Sequence, residues 1–157
     1  MTFFSIITIS YNSEKTIEKT IKSVLSQDYN KYEYIIVDGM STDRTLDIVN
    51  KYSKYIEKVI CEKDEGISDA FNKGIKAAKG DYILLLNSDD VMIDNVLREV
   101  DSYIEEGIDV LHNNINNYFA SLVIGGHTMD NIIIYIIYCT LLILVKNVLD
   151  IEYIIPL

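Results

Sequence analysis

Four short apolar runs constrain the fold of this chain most: FFSIITI (3–9), YIIV (34–37), KVIC (58–61) and YILLL (82–86). Each is strand-length, rich in β-branched, aromatic or leucine side chains, and bounded by turn residues. A half-solvated strand alternates apolar and polar positions. These runs are continuous, as in strands covered on both faces of a parallel sheet. Helical spacing fills the intervals between them. Ile17, Ile21, Val24 and Leu25 lie on one helix face, with Asn12 or Ser13 expected as the N-cap. Leu46, Val49 and Tyr52 repeat the pattern behind Thr42 and Asp43, and a carboxylate there suits the positive end of a helix. Ile67, Phe71, Ile75 and Ala78 predict a third helix, capped by Ser68 and stopped at Lys79-Gly80. A fourth is expected over roughly 94–105, with Leu97, Val100 and Ile104 inward and Gly107 after it.

The resulting β-α-β-α-β-α-β-α order predicts an α/β domain: an open, mostly parallel, Rossmann-like sheet with right-handed crossovers and helices on both faces. Ligands of such sheets bind beyond the carboxyl ends of the strands. The polar clusters fall there: SYN after the first strand, DGMSTD after the second, EKDEG after the third and NSDD after the fourth.

The chain has 157 residues, enough for one ordinary domain. Its net charge of −10 and the lack of any Lys/Arg run argue against a nucleic-acid partner. Cys61 and Cys139 form no CxxC pair and read as reduced core thiols of a cytosolic protein. MTFFSIITIS has neither the basic start nor the cleavage site of a signal peptide, so a cytoplasmic location is expected. After about residue 109 the texture changes. Residues 110–157 hold four charged side chains, Asp130, Lys146, Asp150 and Glu152, and 132–145 is nearly all apolar. That run falls short of the about 20 residues of a membrane-spanning helix. A buried strand plus helix, or a segment lying at a membrane surface, is expected instead. His112 and His127 lie in this tail without ligand spacing and read as structural.

The site candidates carry paired readings. Adjacent Asp89 and Asp90 at a strand end repel unless a cation neutralises them, and Mg²⁺ or Mn²⁺ suits such oxygen donors. The alternative is a turn and helix start. Asp38 can accept from the N–H of a flat heterocycle, or form a turn into the next helix. Tyr11 offers a ring to stack on a base, or to pack on the first helix. Asp64, Asp69 and Asn72 offer groups for sugar hydroxyls, and Lys73 offers charge for phosphate, although Asp69 and Lys73 are also spaced for an ordinary helix ion pair. GxGxxG, GxxxxGK[ST] and GxSxG patterns are absent.

Taken together, SIITISYN, YEYIIVDGMSTDRTLDIV and EKDEGISDAFNKGIKAAKGDYILLLNSDD closely resemble the inverting family-two glycosyltransferases of GT-A fold. The subgroup suggested is the bacterial enzymes of cell-surface polysaccharide assembly. The likeness covers about residues 3–105 and rests on four motifs in order. It implies that residues 1–109 are the nucleotide-sugar-binding half of a GT-A domain. Residues 110–157 would then be an atypical apolar tail that replaces or truncates the acceptor half. It also implies roles at matching positions: Ile9 (through its backbone) and Tyr11 at base and ribose, Asp38 on the nucleobase, Asp64 facing the donor, Asp89 toward the ribose and Asp90 on a divalent Mg or Mn ion. The partners implied are a nucleotide-sugar donor, UDP-linked by expectation, and a saccharide or lipid-linked acceptor. The apolar tail points to the inner face of a membrane. No oligomeric state follows. The family's catalytic base comes from its second half, and 110–157 shows no matching acidic pair, so none is assigned. Two other readings stay open: a remnant that binds nucleotide-sugar without turnover, and a receiver-like Mg²⁺-binding domain.

Overall fold

The computed structural model describes residues 2–105 and the strand backbones 110–115, 118–123 and 142–145. The elements run β1 (Phe4–Ser10), α1 (Ile17–Leu25), β2 (Tyr32–Asp38), α2 (Thr45–Lys51), a short 3₁₀ turn, β3 (Lys58–Cys61), α3 (Ile67–Ala77), β4 (Tyr82–Asn87) and α4 (Val96–Glu105). β5 (Val110–Ile115), β6 (Tyr118–Val123) and β7 (Leu142–Val145) follow. The main sheet has the order β3-β2-β1-β4-β7. Its first four strands are parallel, and β7 pairs antiparallel with β4. β5 and β6 form a separate antiparallel pair.

Alternate residues of each strand point to opposite faces, which explains the unbroken apolar runs. One face carries Phe4, Ile6, Tyr34, Ile36, Leu84 and Leu86 against α1, α2 and α4. The other carries Ile7, Ile9, Ile35, Val37, Ile83 and Leu85 against α3. Each fully buried Ile or Leu here contributes about 1.5–3 kcal/mol of transfer free energy. Helices therefore cover both faces, as expected. The chain builds outward from β1 to β3, then returns along α3 to the far side of β1. That reversal is the topological switch point, and it lies between β1 and β4.

Several local expectations are corrected. KVIC is a mostly exposed edge strand, and Cys61 at its end is a free, exposed thiol and not a core group. Ile67 is 66% exposed. The buried face of α3 centres on Ala70 and Gly74, with Phe71 and Ile75 packed beside it. A side chain at Gly74 would collide with Ile7 on β1 and press on Val37 of β2, so small residues let this helix lie close to the sheet. Gly66, at φ +121°, occupies the N-cap of α3, and Ser68 does not. Asn12 caps no helix either; α1 starts behind Thr16. Gly80 serves close packing: a Cβ there would lie 2.5 Å from the Ser5 backbone nitrogen and 2.8 Å from the Phe3 carbonyl oxygen. Of the apolar run 132–145, the last four residues form β7. The rest of it, with Gly107, His127 and Cys139, lies outside the described residues, as does the His112 side chain.

Candidate active site

Sheet register aligns the carboxyl ends of the strands. Ser10 of β1 sits beside Asp38 of β2, Asp38 beside Cys61 of β3, and Ile9 beside Asn87 of β4. Ile9 is buried in the ladder between β2 and β4, with its side chain in the core on the α3 side. The loops that leave these strands carry Tyr11, Gly39, Asp64 and Asp89–Asp90.

Asp38 is wholly buried. Its Oδ2 accepts from the Ser10 hydroxyl at 2.8 Å and the Ser41 hydroxyl at 2.7 Å. Its Oδ1 accepts from the Ser41 amide at 2.7 Å, with the Cys61 thiol 3.9 Å away. A carboxylate offers about four lone-pair sites, so every acceptor position of Asp38 is taken. The turn-forming role is therefore realised. A nucleobase N–H would have to exchange with one of these donors, of which Cys61 is exposed and Ser41, on the loop, is partly exposed.

Tyr11 is 61% exposed. Its ring lies beside Gly39, and the Asp64 carboxylate crosses the same glycine. A side chain at position 39 would meet Asp64 Oδ2 head-on and the Tyr11 ring at 3.4 Å. Gly39 thus lets a carboxylate and an aromatic ring meet over one stretch of bare backbone. Asp64 Oδ1 also accepts from the Gly66 amide at 3.0 Å, which fixes its loop. Lys73 braces that loop further. Its Nζ reaches Asp69 at 2.9 Å, Glu62 at 3.5 Å and the Lys63 carbonyl at 2.6 Å. The helix ion pair is thus present. It holds the Lys73 ammonium above its ordinary range and the Asp69 carboxyl below its own.

Beyond β4, Asp89 is exposed and makes no hydrogen bond or ion pair among the described residues. Asp90 is half-buried and accepts from the Asn87 side-chain amide at 3.0 Å. Burial pushes its carboxyl above the ordinary range, and the Asp89 charge adds to this. Among the described residues no three His, Cys, Asp or Glu gather closely enough to hold a metal alone. Two neighbouring carboxylates, one open to solvent and one destabilised mainly by burial, do fit a hard cation that keeps water and phosphate in its shell.

The anchoring of this loop was missed from the sequence. Thr20 and Ser23 are buried on α1, and Gln27 is buried just past its C-terminal end. The Thr20 hydroxyl lies 2.9 Å from the Ser88 carbonyl and 2.7 Å from the Asp90 carbonyl. Ser23 Oγ accepts from the Met92 amide, and Gln27 Nε2 donates to the Ile93 carbonyl. Polar residues at i and i+3 among the otherwise apolar buried positions of the helix were the available signal. The hydroxyls of Ser13 and Ser88, 2.7 Å apart, join the β1 and β4 loops across the switch point. A second groove, at the amino ends of the strands, is lined by Phe3, Tyr32, Glu33, Tyr55 and Lys79. Lys79 there pairs with Glu57, Glu33 accepts from Ser5 and the Lys79 amide, and the Lys54 ammonium, which also lines the groove, lies 4.5 Å over the Tyr55 ring.

Comparison with known proteins agrees with this geometry. A match to Glycosyl transferase family 2 runs over residues 5–148, past the change of texture near residue 109, and the chain belongs to that family. It is 44% identical over 96 residues to UDP-Glc:alpha-D-GlcNAc-diphosphoundecaprenol beta-1,3-glucosyltransferase WfaP of Escherichia coli, covering 59% of this chain and 38% of that protein. The crystal structure of Staphylococcus aureus TarS 1–349 in complex with UDP-GlcNAc superposes with a TM-score of 0.64 at 34% identity, covering 69% of this chain and 33% of that one. A mannosyltransferase from Pyrobaculum calidifontis, 21% identical, shares the fold with a TM-score of 0.62 over 69% of this chain and 34% of that one. The fold is GT-A. The chain spans about a third of the length of these relatives.

Proposed function

We propose that this chain binds a nucleotide-sugar, UDP-linked, at the carboxyl edge of β1, β2 and β4. In this reading it serves the transfer of the sugar to a saccharide or lipid-linked acceptor during cell-surface polysaccharide synthesis. The observation that carries the reading is the meeting of Tyr11, Gly39 and Asp64 on one side of the switch point, with Asp89–Asp90 on the other. Hydroxyl-to-hydroxyl contact between Ser13 and Ser88 makes these two sides one edge. UDP-GlcNAc in the TarS crystals supports the choice of donor.

Tyr11 would stack on the base, with Asp38 accepting its N–H and Asp64 its hydroxyl neighbours. Asp89 would accept from the ribose. Asp90 would hold Mg²⁺ or Mn²⁺, which when bound neutralises charge on the departing diphosphate. Transfer is a direct displacement with inversion: the acceptor oxygen bonds to the anomeric carbon as the bond to the diphosphate breaks. The acceptor's proton passes to a carboxylate base, which is not assigned to a residue. Work at the cytoplasmic face of a membrane fits a lipid-linked acceptor, and no helix among the described residues is long and apolar enough to cross one.

Calorimetric titration with UDP, with and without Mn²⁺, tests the binding, and release of UDP from UDP-sugars tests turnover. Saturable, Mn²⁺-enhanced binding is expected. Binding without turnover reduces the chain to a donor-binding unit. Absence of binding, or labelling by acetyl phosphate, refutes the nucleotide-sugar reading.

A further inference from the structure

The loops after β1 and β2 are laced together by side chains about thirty residues apart. Asn12 Oδ1 accepts from the Thr42 amide at 2.8 Å and from the Thr42 hydroxyl at 3.3 Å. The Asn12 amide donates to Ser41 Oγ at 2.8 Å, and that hydroxyl donates onward to Asp38 Oδ2. Next in line, the Ser13 amide donates to Thr45 Oγ1, the Glu14 amide to Asp43 Oδ2, and the Arg44 amide to Glu14 Oε2. Two residues in this clasp have left-handed backbones, Asn12 at φ 49° and Met40 at φ 64°. A methionine in that region costs on the order of 1 kcal/mol, and such strain persists only where the surroundings enforce it. Met40 is also 56% exposed, so packing does not enforce it. What holds it is Asp38 on one side, through the Ser41 amide, and Asn12 on the other, through Thr42.

We infer that Asn12 is a positioning residue: it fixes the 39–42 loop from the β1 side, and so sets Asp38 and Tyr11 against each other for a nucleobase. Asparagine tolerates positive φ with its side chain free. Here that side chain is exposed, yet its oxygen takes two donors from another loop. The inference rests on the nucleotide-binding reading. It adds that selectivity among bases depends on a residue that touches none. Uracil presents an N–H where cytosine presents a bare nitrogen, so the ratio of UDP to CDP affinity reports how well Asp38 is placed.

The test uses the full chain and Asn12→Gly, which keeps backbone freedom at positive φ and deletes only the side chain. Affinities for UDP and CDP are measured with Mn²⁺ present. UDP affinity is expected to fall by about tenfold while CDP affinity stays within about twofold. Asn12→Asp, which keeps the acceptor oxygen, should restore most of the ratio. An unchanged ratio in Asn12→Gly overturns the positioning role while leaving nucleotide binding intact. Failure of the unaltered chain to bind either nucleotide overturns the reading itself and the inference with it. Should the glycine variant not fold, amide hydrogen exchange on the unaltered chain decides. Slow exchange at Thr42 and Asn12 is expected, and exchange at the rate of open loops contradicts the clasp.

Discussion

Asp90→Ala is expected to abolish the Mn²⁺-dependent part of UDP binding, lowering affinity at least about a hundredfold, since removal of even an outer partner of a metal ligand costs about 10–100-fold. The fold should survive, because what ties this loop down is backbone. The Asp90 carbonyl meets Thr20, and the Asp90 amide donates to the Asn87 carbonyl. The side chain itself gives up one contact, to the Asn87 amide group. The sign of its titration points the same way. Its carboxyl is raised in the folded state, first by burial and then by Asp89. A raised carboxyl binds its proton more tightly folded than unfolded, so its ionised form opposes folding as pH rises above the ordinary carboxylate range. Truncation should therefore leave the melting temperature at neutral pH unchanged or slightly higher. A variant that melts normally and still binds UDP with Mn²⁺ as tightly as the parent removes Asp90 from the metal site.

The largest effect on stability is expected at Gly80. An added methyl would meet backbone atoms of Phe3, Phe4 and Ser5, which a side-chain rotation cannot clear. Gly80 also donates its amide to Ser5 Oγ at 2.8 Å, in a buried network that includes Glu33. Moving that segment disturbs the start of β1, the strand on which both neighbours register. Gly80→Ala should cost about 3 kcal/mol and lower the melting temperature by about 10 °C. Thermal denaturation followed by circular dichroism reads this directly. A fall of less than about 2 °C would mean that the β4 approach can relax, and that the packing of this corner is looser than the contacts imply.

Much of this architecture was legible because it rests on periodicity. Continuous apolar runs required two covered faces, and the β-α alternation required parallel pairing, so the sheet and its ligand edge followed from the pattern alone. Asp38 and Asp89–Asp90 could be placed at strand ends for the same reason. The misreadings have a common cause. Spacing identifies a helix face but not how near that face comes to the sheet. On α3 the residues in closest contact are Ala70 and Gly74, whose small size hides them from any hydrophobic pattern, while Ile67 looks buried and is not. The run KVIC has the composition of an interior strand, but only the order of strands makes it an edge. The clasp at Asn12 and the anchors Thr20 and Ser23 on α1 and Gln27 just past it depend on loops that meet only after folding, so local spacing alone points Asn12 to a helix cap. The Asp38 carboxylate is expected from the sequence as a ligand group, but its full complement of donors from Ser10, Ser41 and Cys61 has no local signature.

Crystals grown with UDP and Mn²⁺, with data collected near the manganese absorption edge, test the central claim most directly. The prediction is an anomalous peak within about 2.0–2.6 Å of an Asp90 carboxylate oxygen, with the uracil ring over Tyr11. A manganese peak away from Asp89 and Asp90, or a nucleotide bound elsewhere than the β1–β4 edge, would contradict it.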